Sequence, residues 1–215
     1  MAQQPPIYVE GSCGEYIFPK FLFSFADGLK KSPGSLWGKS CSLKFRHPIT
    51  RTLSIGFQLS QEKAGSSSAE YLTSDAVNEA AQNGVQLVNV SGASAFTIKS
   101  WGAIFEKAFP IKKSRFTPFI QGGLGRGLLI NSFRGAADLN TPGYGMVRQP
   151  ADDRSHYSIW VPTFDSGFRF RLRPQLSWIV AGHWNTGFGL RTGLEVPVHL
   201  ETAGHAFRGA FKKVF

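Results

Sequence analysis

The sequence predicts an all-β fold, an eight-stranded antiparallel up-and-down transmembrane β-barrel followed by a short amphipathic C-terminal tail. Three observations support it. Apolar and polar residues alternate with a period of two in many segments, the connections between these segments alternate between short and long, and the apolar set is bulky and aromatic. The 215 residues include 19 Phe, 24 Gly and 18% charged residues, a composition that argues against disorder. The sequence has no run of about 18 apolar residues, the length that a transmembrane helix requires, so a helical membrane protein is not predicted.

The clearest alternation runs over residues 53–60, where every odd position is large and apolar and every even position is small or polar. Residues 37–45 alternate in the same way, and a short turn containing Pro48 joins the two segments. Six further segments complete eight strands. They lie near residues 16–26, 94–107 (with an apparent bulge), 116–131, 157–172, 176–187 and 189–200.

The connections between these strands indicate how the barrel is oriented. Short connections at 47–51, 108–115 and 173–175 alternate with longer ones at 27–35, 61–93 and 132–156, and the last connection, near Thr186, is short. Short turns at one end and long loops at the other are typical of outer-membrane barrels. A short helix is predicted near residues 68–82, inside the longest loop.

Alternation by itself does not show which set of side chains faces outward, and a soluble lipocalin-like barrel is the alternative. The aromatic set is too bulky for an eight-stranded interior, which side chains only just fill. The opposite set is rich in Gly, Ser and Gln rather than in the Lys and Glu of a soluble surface. Strands of about 9 to 16 residues also match the length that spans a bilayer. These features favour a membrane barrel.

The predicted organisation is an N-terminal periplasmic segment at 1–15, the β-barrel at 16–200 and a basic tail at 201–215. The first residues carry no secretory signal, so the chain is either cytosolic or a mature form with an added Met. With a membrane barrel, the expected location is the bacterial outer membrane, the signal peptide having been removed. Cys13 and Cys41 could pair, but Cys41 falls within a strand, and two free, half-buried thiols are expected.

Two blocks of sequence resemble the small outer-membrane β-barrel superfamily of Gram-negative bacteria, the OmpA/OmpX-like barrels. They are residues 117–125 (TPFIQGGLG) and residues 165–177 (DSGFRFRLRPQLS). The resemblance covers roughly residues 16–200 and implies the barrel fold and the outer membrane. Barrels of this kind serve as anchors, adhesins, small channels and lipid-modifying enzymes, so the resemblance does not specify one function.

The C-terminus departs from the family pattern. Members of the family usually end on the aromatic residue of their last strand, whereas here the last strand ends near Leu200 and about 15 residues follow. A final strand at 205–215 is one interpretation, but it would place the C-terminus on the wrong side. The aromatic residues recur every fourth position with basic residues between them, which predicts an amphipathic periplasmic helix that contacts the membrane or a partner. The residues of this predicted contact are Phe207, Arg208, Phe211, Lys212, Lys213 and Phe215.

The polar set of the last three strands predicts charged side chains in the lumen. A confined charge must be paired or solvated, so the first interpretation is a charge network that fills and stiffens the barrel. Its predicted members are Asp165, Arg169, Arg171, His183, Arg191, Glu195 and His199.

The alternative interpretation of His183 is catalytic. Residues 182–187 (GHWNTG) are similar to the His-x-Ser-Asn motif of lipid A 3-O-deacylase barrels. The resemblance implies that His183 is the base, Glu195 the downstream acid and Thr186 a hydroxyl near the nucleophile position. That position holds Asn185, which cannot attack an ester. No metal ligands and no cofactor are predicted, because no His or Cys cluster has metal-binding spacing.

A formal charge of +10 is a usual sign of nucleic-acid binding, which is the rival interpretation. The basic residues fall at the predicted short turns and in the tail instead of along one sheet face, so nucleic acid is not an expected partner. The expected partners are the lipid bilayer, lipopolysaccharide and a periplasmic or outer-membrane protein. The favoured function is a non-enzymatic membrane anchor or subunit that holds a partner through its loops or tail. The alternatives are a lipid A deacylase-like esterase and a small solute channel.

Overall fold

The computed structural model describes residues 5–18, 36–70, 74–185 and 187–199. These residues form a closed barrel in which eight antiparallel strands follow one another in chain order, so the predicted fold class is confirmed. The elements are β1 (Ile7–Phe18), β2 (Leu36–Pro48), β3 (Leu53–Glu70), α1 (Ser74–Gln82), β4 (Gln86–Ala108), β5 (Phe116–Thr141), β6 (Gly145–Arg173), β7 (Leu176–Trp184) and β8 (Phe188–Val198).

The strand register fixes the geometry of the ring. A path of paired residues that leaves β6 at Asp165 passes through each strand in turn and returns to β6 at Ser155, ten residues away. Such a displacement means that the strands are tilted, by roughly 35–45° in barrels of this size. Paired residues on neighbouring strands therefore lie at different heights along the barrel axis. The residue at the same height on the next strand lies about 1.25 positions along that strand from the paired residue.

The first strand begins earlier in the chain than the sequence predicted. Residues 7–15, assigned to an N-terminal segment, lie within β1, which pairs with both β2 and β8 and closes the ring. The predicted start of the first strand at residue 16 is wrong, because β1 begins at Ile7. The sequence does not reveal this start, since β1 carries small residues on its lipid side, Gly11 and Cys13, which weaken the alternation. Residues 19–35 lie outside the described part of the chain.

Two of the predicted long loops are largely strand. Residues 132–156 form a β5–β6 hairpin paired up to Thr141 and Gly145, and residues 61–93 contain the ends of β3 and β4 with α1 between them. The helix predicted near 68–82 is confirmed as α1. Alternation is weak in these stretches because they extend past the lipid, where nothing requires one face to be apolar.

The apparent bulge within 94–107 is absent, since β4 pairs with β3 without interruption from Phe96 to Lys107. Phe96 and Ile98 break the outward pattern because their side chains point inward. Together with Tyr16, Ala64 and Val161 they form a buried apolar cluster across the upper lumen, where "upper" means the end away from the turns at 49–52, 109–115 and 174–175.

The two cysteines form a disulfide, contrary to the expectation of free thiols. Cys13 and Cys41 lie directly opposite each other on β1 and β2, on the outer face of the barrel. The mid-strand position that argued against pairing is what places the two residues side by side.

Candidate functional site: a charged and closed lumen

The interior of the barrel is lined by charged side chains that are almost completely buried. Among the described residues, five carboxylates, four Lys or Arg side chains and one histidine are each at most 9% exposed. They come from seven of the eight strands. They are Glu10, Lys44, Arg46, Glu62, Glu106, Asp165, Arg169, His183, Arg191 and Glu195.

The centre of this network is Lys44 on β2. Its Nζ lies 2.5 Å from Asp165 Oδ2 on β6 and 3.2 Å from Glu10 Oε1 on β1. It also donates a 3.3 Å hydrogen bond to Gln121 Oε1 on β5. One ammonium group thus connects four strands across the lumen, and charge-assisted bonds of this kind are stronger than neutral ones.

The lower part of the network joins two arginines to two glutamates. Arg46 Nη1 lies 2.5 Å from Glu106 Oε1, and Arg46 also pairs with Glu195. Arg169 pairs with Glu106 and places its Nε 3.2 Å from Glu195 Oε2. The Arg169 guanidinium also lies 4.4 Å from the centre of the Phe119 ring. This alternating arrangement of charges closes the lower lumen.

The upper part of the network converges on Glu62. Its Oε1 lies 3.2 Å from both His183 Nε2 and Arg191 Nη2, and it accepts a 2.5 Å hydrogen bond from Asn185 Nδ2. The other ring nitrogen of His183, Nδ1, contacts Asp165. Arg191 also donates a 2.9 Å bond from Nε to Ser40 Oγ. His183 therefore lies between two carboxylates.

The structure brings together five of the seven side chains predicted to form this network: Asp165, Arg169, His183, Arg191 and Glu195. Arg171 is exposed and lines the lower mouth, and His199 is exposed just beyond β8.

Sequence reasoning missed five members of the network. Glu10 lay in a segment not assigned to the barrel. Glu62 lay in the predicted loop at 61–93. Lys44, Arg46 and Glu106 stand on the polar parity of β2 and β4, where the parity rule used for the later strands would have identified them.

The predicted catalytic residues are not assembled into a triad. Glu195 lies with Arg46 and Arg169 near the lower mouth. The residue opposite His183 on β8 is Gly189, so His183 and Glu195 are separated by six residues of strand, roughly 20 Å. Both nitrogens of His183 contact carboxylates, and its side chain is fully buried. Thr186 lies outside the described residues.

The outer surface of the barrel is an apolar belt. Large apolar side chains that are 36–62% exposed cover β2 to β8 on the side opposite the lumen. Examples are Phe57 on β3, Phe105 on β4, Leu124 on β5, Phe168 on β6 and Leu194 on β8. A protein surrounded by water does not expose an apolar area of this extent, so the exterior faces lipid.

The lower mouth opens into a cavity of about 320 Å³ whose floor is formed by the Arg46–Glu106–Arg169–Glu195 cluster. Its rim is strongly basic. In the described residues around this mouth seven cations are exposed, and the two acids, Glu106 and Glu195, are buried in the network. The exposed cations are Arg51, Lys107, Lys112, Lys113, Arg115, Arg171 and Arg173.

Three other candidate features are a membrane-spanning helix, a metal site and the C-terminal tail. None of the helices in the described residues is long and apolar enough to cross a membrane. Within the same ranges, no group of three His, Cys, Asp or Glu residues is placed to hold a metal ion. The tail residues Phe207, Arg208, Phe211, Lys212, Lys213 and Phe215 lie outside the described part of the chain, and so does Leu200.

Comparison with known proteins gives structural similarities only. No family model and no curated protein sequence matches the chain. The crystal structure of Neisserial surface protein A is 15% identical with a TM-score of 0.48, over 88% of this chain and 96% of that chain. The N-terminal β-barrel domain of Pseudomonas aeruginosa OprF is 13% identical with a TM-score of 0.41, over 91% and 99%. Ail, the attachment invasion locus protein of Yersinia pestis, is 12% identical with a TM-score of 0.40, over 91% and 98%.

The structure of the chain itself indicates that it spans a membrane. Only helices and closed barrels satisfy their backbone hydrogen bonds within lipid. This chain closes eight tilted antiparallel strands into a ring with an apolar exterior and a polar interior. The protein is a small transmembrane β-barrel of the bacterial outer-membrane type.

Proposed function

We infer that the protein is a closed outer-membrane anchor that holds a protein partner on its extended upper strands. The filled lumen is the observation that carries this proposal. Among the described residues, the barrel encloses neither an open path for a solute nor an accessible nucleophile. We therefore assign the function to the strands that extend past the bilayer.

The lumen argues against a solute channel. The charged network fills the lower and middle lumen, and the apolar cluster of Tyr16, Phe96 and Val161 lies above it. Passage of a hydrated solute would require several buried ion pairs to separate, and leaving a buried charge unpaired costs about 3–5 kcal/mol. The contacts of His183 likewise argue against an esterase, since neither ring nitrogen is free to take a proton from a hydroxyl.

Beyond the lipid-facing belt, the upper parts of β3, β4, β5 and β6 continue as a four-stranded sheet. β5 and β6 remain paired up to the turn at 142–144, roughly 15 residues or about 50 Å of strand past Arg126. Tyr144 and Met146 at the tip are 84% and 62% exposed. α1 packs near β4, and a cleft of about 430 Å³ lies between Val77, Val85 and Leu87 of this region and the β5–β6 turn. Exposed apolar side chains beside a cleft are suited to protein binding.

The basic lower rim supports the orientation of the anchor. Seven exposed cations at the short-turn end would meet the anionic headgroups of the periplasmic leaflet, and each contributes up to about 1 kcal/mol near an anionic surface. The long strands then lie outside the cell, where lipopolysaccharide surrounds the barrel. The tail at 201–215 remains a second predicted contact on the periplasmic side.

The test is co-purification in a mild detergent. Residues 134–152 pair with one another across β5 and β6, so replacing them by an Asn-Gly turn removes the tip and keeps a two-residue hairpin. We expect this variant to lose the partner while its barrel still resists unfolding by detergent at room temperature. Deletion of residues 203–215 is the matched comparison, because loss of the partner only in that variant would assign the binding to the tail. Retention of the partner by both variants would refute the proposal.

A further inference from the structure

Four exposed cations lie side by side on the lipid-facing surface of the barrel, apart from the basic lower rim. They are Lys39 on β2, Lys63 on β3, Lys99 on β4 and Arg126 on β5. Each belongs to the outward set of its strand, and the four strands are consecutive in the ring. We refer to these four residues as the cation row.

The register places the cation row at one height. Lys39 is directly opposite Lys63. The residue opposite Lys63 on β4 is Thr97, and Lys99 lies two residues closer to the lower mouth than Thr97. The residue opposite Lys99 on β5 is Leu128, and Arg126 lies two residues closer to the lower mouth than Leu128. This downward offset corresponds to the shift of about 1.25 residues per strand that keeps positions level in a tilted barrel. The row therefore runs parallel to the membrane.

The row also lies at the upper boundary of the apolar belt. From Arg126 down to Phe116 at the start of β5 the chain covers roughly 33 Å, which at a tilt of about 40° is close to 25 Å along the membrane normal. This is about the height of the apolar band of outer-membrane barrels. The Arg126 guanidinium lies 4.4 Å from the centre of the Trp160 ring, and Trp101 is half exposed nearby. Tryptophan is typical of the level of lipid headgroups.

The charges in the row require a counterion. Like charges on directly opposed residues destabilise a sheet, and the pair Lys39–Lys63 has this arrangement. Among the described residues, Glu15 on β1 is the acid at this level, and it faces Lys39. The row keeps an excess of positive charge where the neighbours are lipid headgroups, and phosphate is the strongest acceptor there for ammonium and guanidinium donors.

We propose that the cation row binds the phosphate groups of a phosphorylated glycolipid of the outer leaflet, lipopolysaccharide. This inference rests on the orientation given under the proposed function. The row extends over four strands, roughly 15–20 Å around the barrel. A phospholipid with one phosphate can reach only neighbouring members of such a row, whereas a glycolipid with several phosphates reaches all of it at once.

The test compares lipids and variants of the purified full-length barrel. Native mass spectrometry in a mild detergent measures the binding of lipopolysaccharide, of its dephosphorylated form and of phosphatidylglycerol. The variant is Lys39→Ser/Lys63→Ser/Lys99→Ser. The matched control is Lys112→Ser/Arg115→Ser/Arg173→Ser, which removes the same charge from exposed positions of the lower rim. Lys63→Gln and Lys99→Gln singly replace the triple variant if it does not fold.

We expect the wild-type barrel and the control to bind lipopolysaccharide alike, and the row variant to bind it about a hundredfold more weakly, since each cation contributes roughly a fivefold factor. Each single Gln variant should show about that fivefold loss. Removing the phosphates from the lipid should cause a similar loss with the wild-type protein. Equal binding by the row variant, or equal binding of the dephosphorylated lipid or of phosphatidylglycerol, overturns the inference.

An epitope inserted at residues 142–144 and labelled on intact cells tests the orientation separately. If the epitope is not labelled, the proposed function and its orientation fail. If it is labelled and the row variant still binds lipopolysaccharide normally, only the cation-row inference fails.

Discussion

Replacing Glu62 by Gln tests whether the upper lumen is as tightly paired as its geometry indicates. Glu62 Oε1 lies within 3.2 Å of His183 and Arg191 and accepts the bond from Asn185. Gln has the same shape, so the substitution removes the charge without opening a cavity. Arg191, 1% exposed, would then keep only neutral partners, the hydroxyl of Ser40 and the amide oxygen of the new Gln, and no carboxylate of the described residues would lie at ion-pair distance.

The expected loss of stability follows from this burial. Breaking a buried ion pair by removing one partner costs about 3–5 kcal/mol, because the other charge stays buried and uncompensated. We expect Glu62→Gln to lower the free energy of unfolding by this amount. The double variant Glu62→Gln/Arg191→Met should lose much less, since it removes both charges of the pair and keeps an amide oxygen for the bond from Asn185.

The assay is urea unfolding of the refolded barrel in detergent micelles, followed by tryptophan fluorescence and by the mobility difference between folded and unfolded protein on gels. Lys63→Gln, the neighbouring exposed position on β3, is the control and should change the midpoint little. A loss below about 1 kcal/mol for Glu62→Gln would refute the reasoning, because it would mean that water or another group compensates Arg191 in the lumen.

Three further predictions concern the closed lumen and the disulfide. Reconstituted in planar bilayers, the wild-type protein should show no steady conductance because its lumen is filled, and regular single-channel openings would contradict this. Lipid A incubated with the protein should keep all its acyl chains by mass spectrometry, and a loss of chains that His183→Ala abolishes would restore the esterase alternative. Cys13 and Cys41 should react with maleimide only after reduction, and labelling without reductant would contradict the disulfide. Cys13→Ser/Cys41→Ser should cost about 3–4 kcal/mol for a link closing 28 residues of chain.

The sequence predicted the lipid-facing side of the barrel well for a physical reason. Lipid accepts only apolar side chains along most of the belt, so Leu53, Ile55, Phe57 and Leu59 alternate without exception. The interior sets a weaker constraint, because a narrow lumen accepts either paired charges or apolar side chains. Phe96, which points inward, therefore looked like the sign of a bulge in the strand.

The strands beyond the bilayer could not be recognised from alternation. Residues 132–156 pair in register, yet both faces of that hairpin meet water or protein, and no periodic pattern is required. The charge partners in the lumen were only partly predictable as well. Parity shows that Lys44 and Asp165 point inward, but their contact across the lumen depends on the ten-residue displacement of the register, which short-range patterns do not contain.

The positions of the charges explain how a chain with a formal charge of +10 can form a membrane barrel. Within the described residues the lumen holds five carboxylates, four Lys or Arg side chains and His183, so the interior is close to neutral and contributes almost none of the excess. The excess among the described residues lies at the two edges of the apolar belt, in the lower rim and in the cation row. A charge at mid-depth on the lipid face would cost about 2–4 kcal/mol, whereas at the edges the cost falls to about 0–1 kcal/mol and headgroup phosphates can offset it. We therefore expect the basic residues to hold the barrel at a fixed depth from both sides. Because the closed barrel moves as one body, neutralising the cation row and neutralising the lower rim should each change the quenching of Trp160 fluorescence by brominated lipids, in opposite directions. Unchanged quenching in both variants would contradict this role.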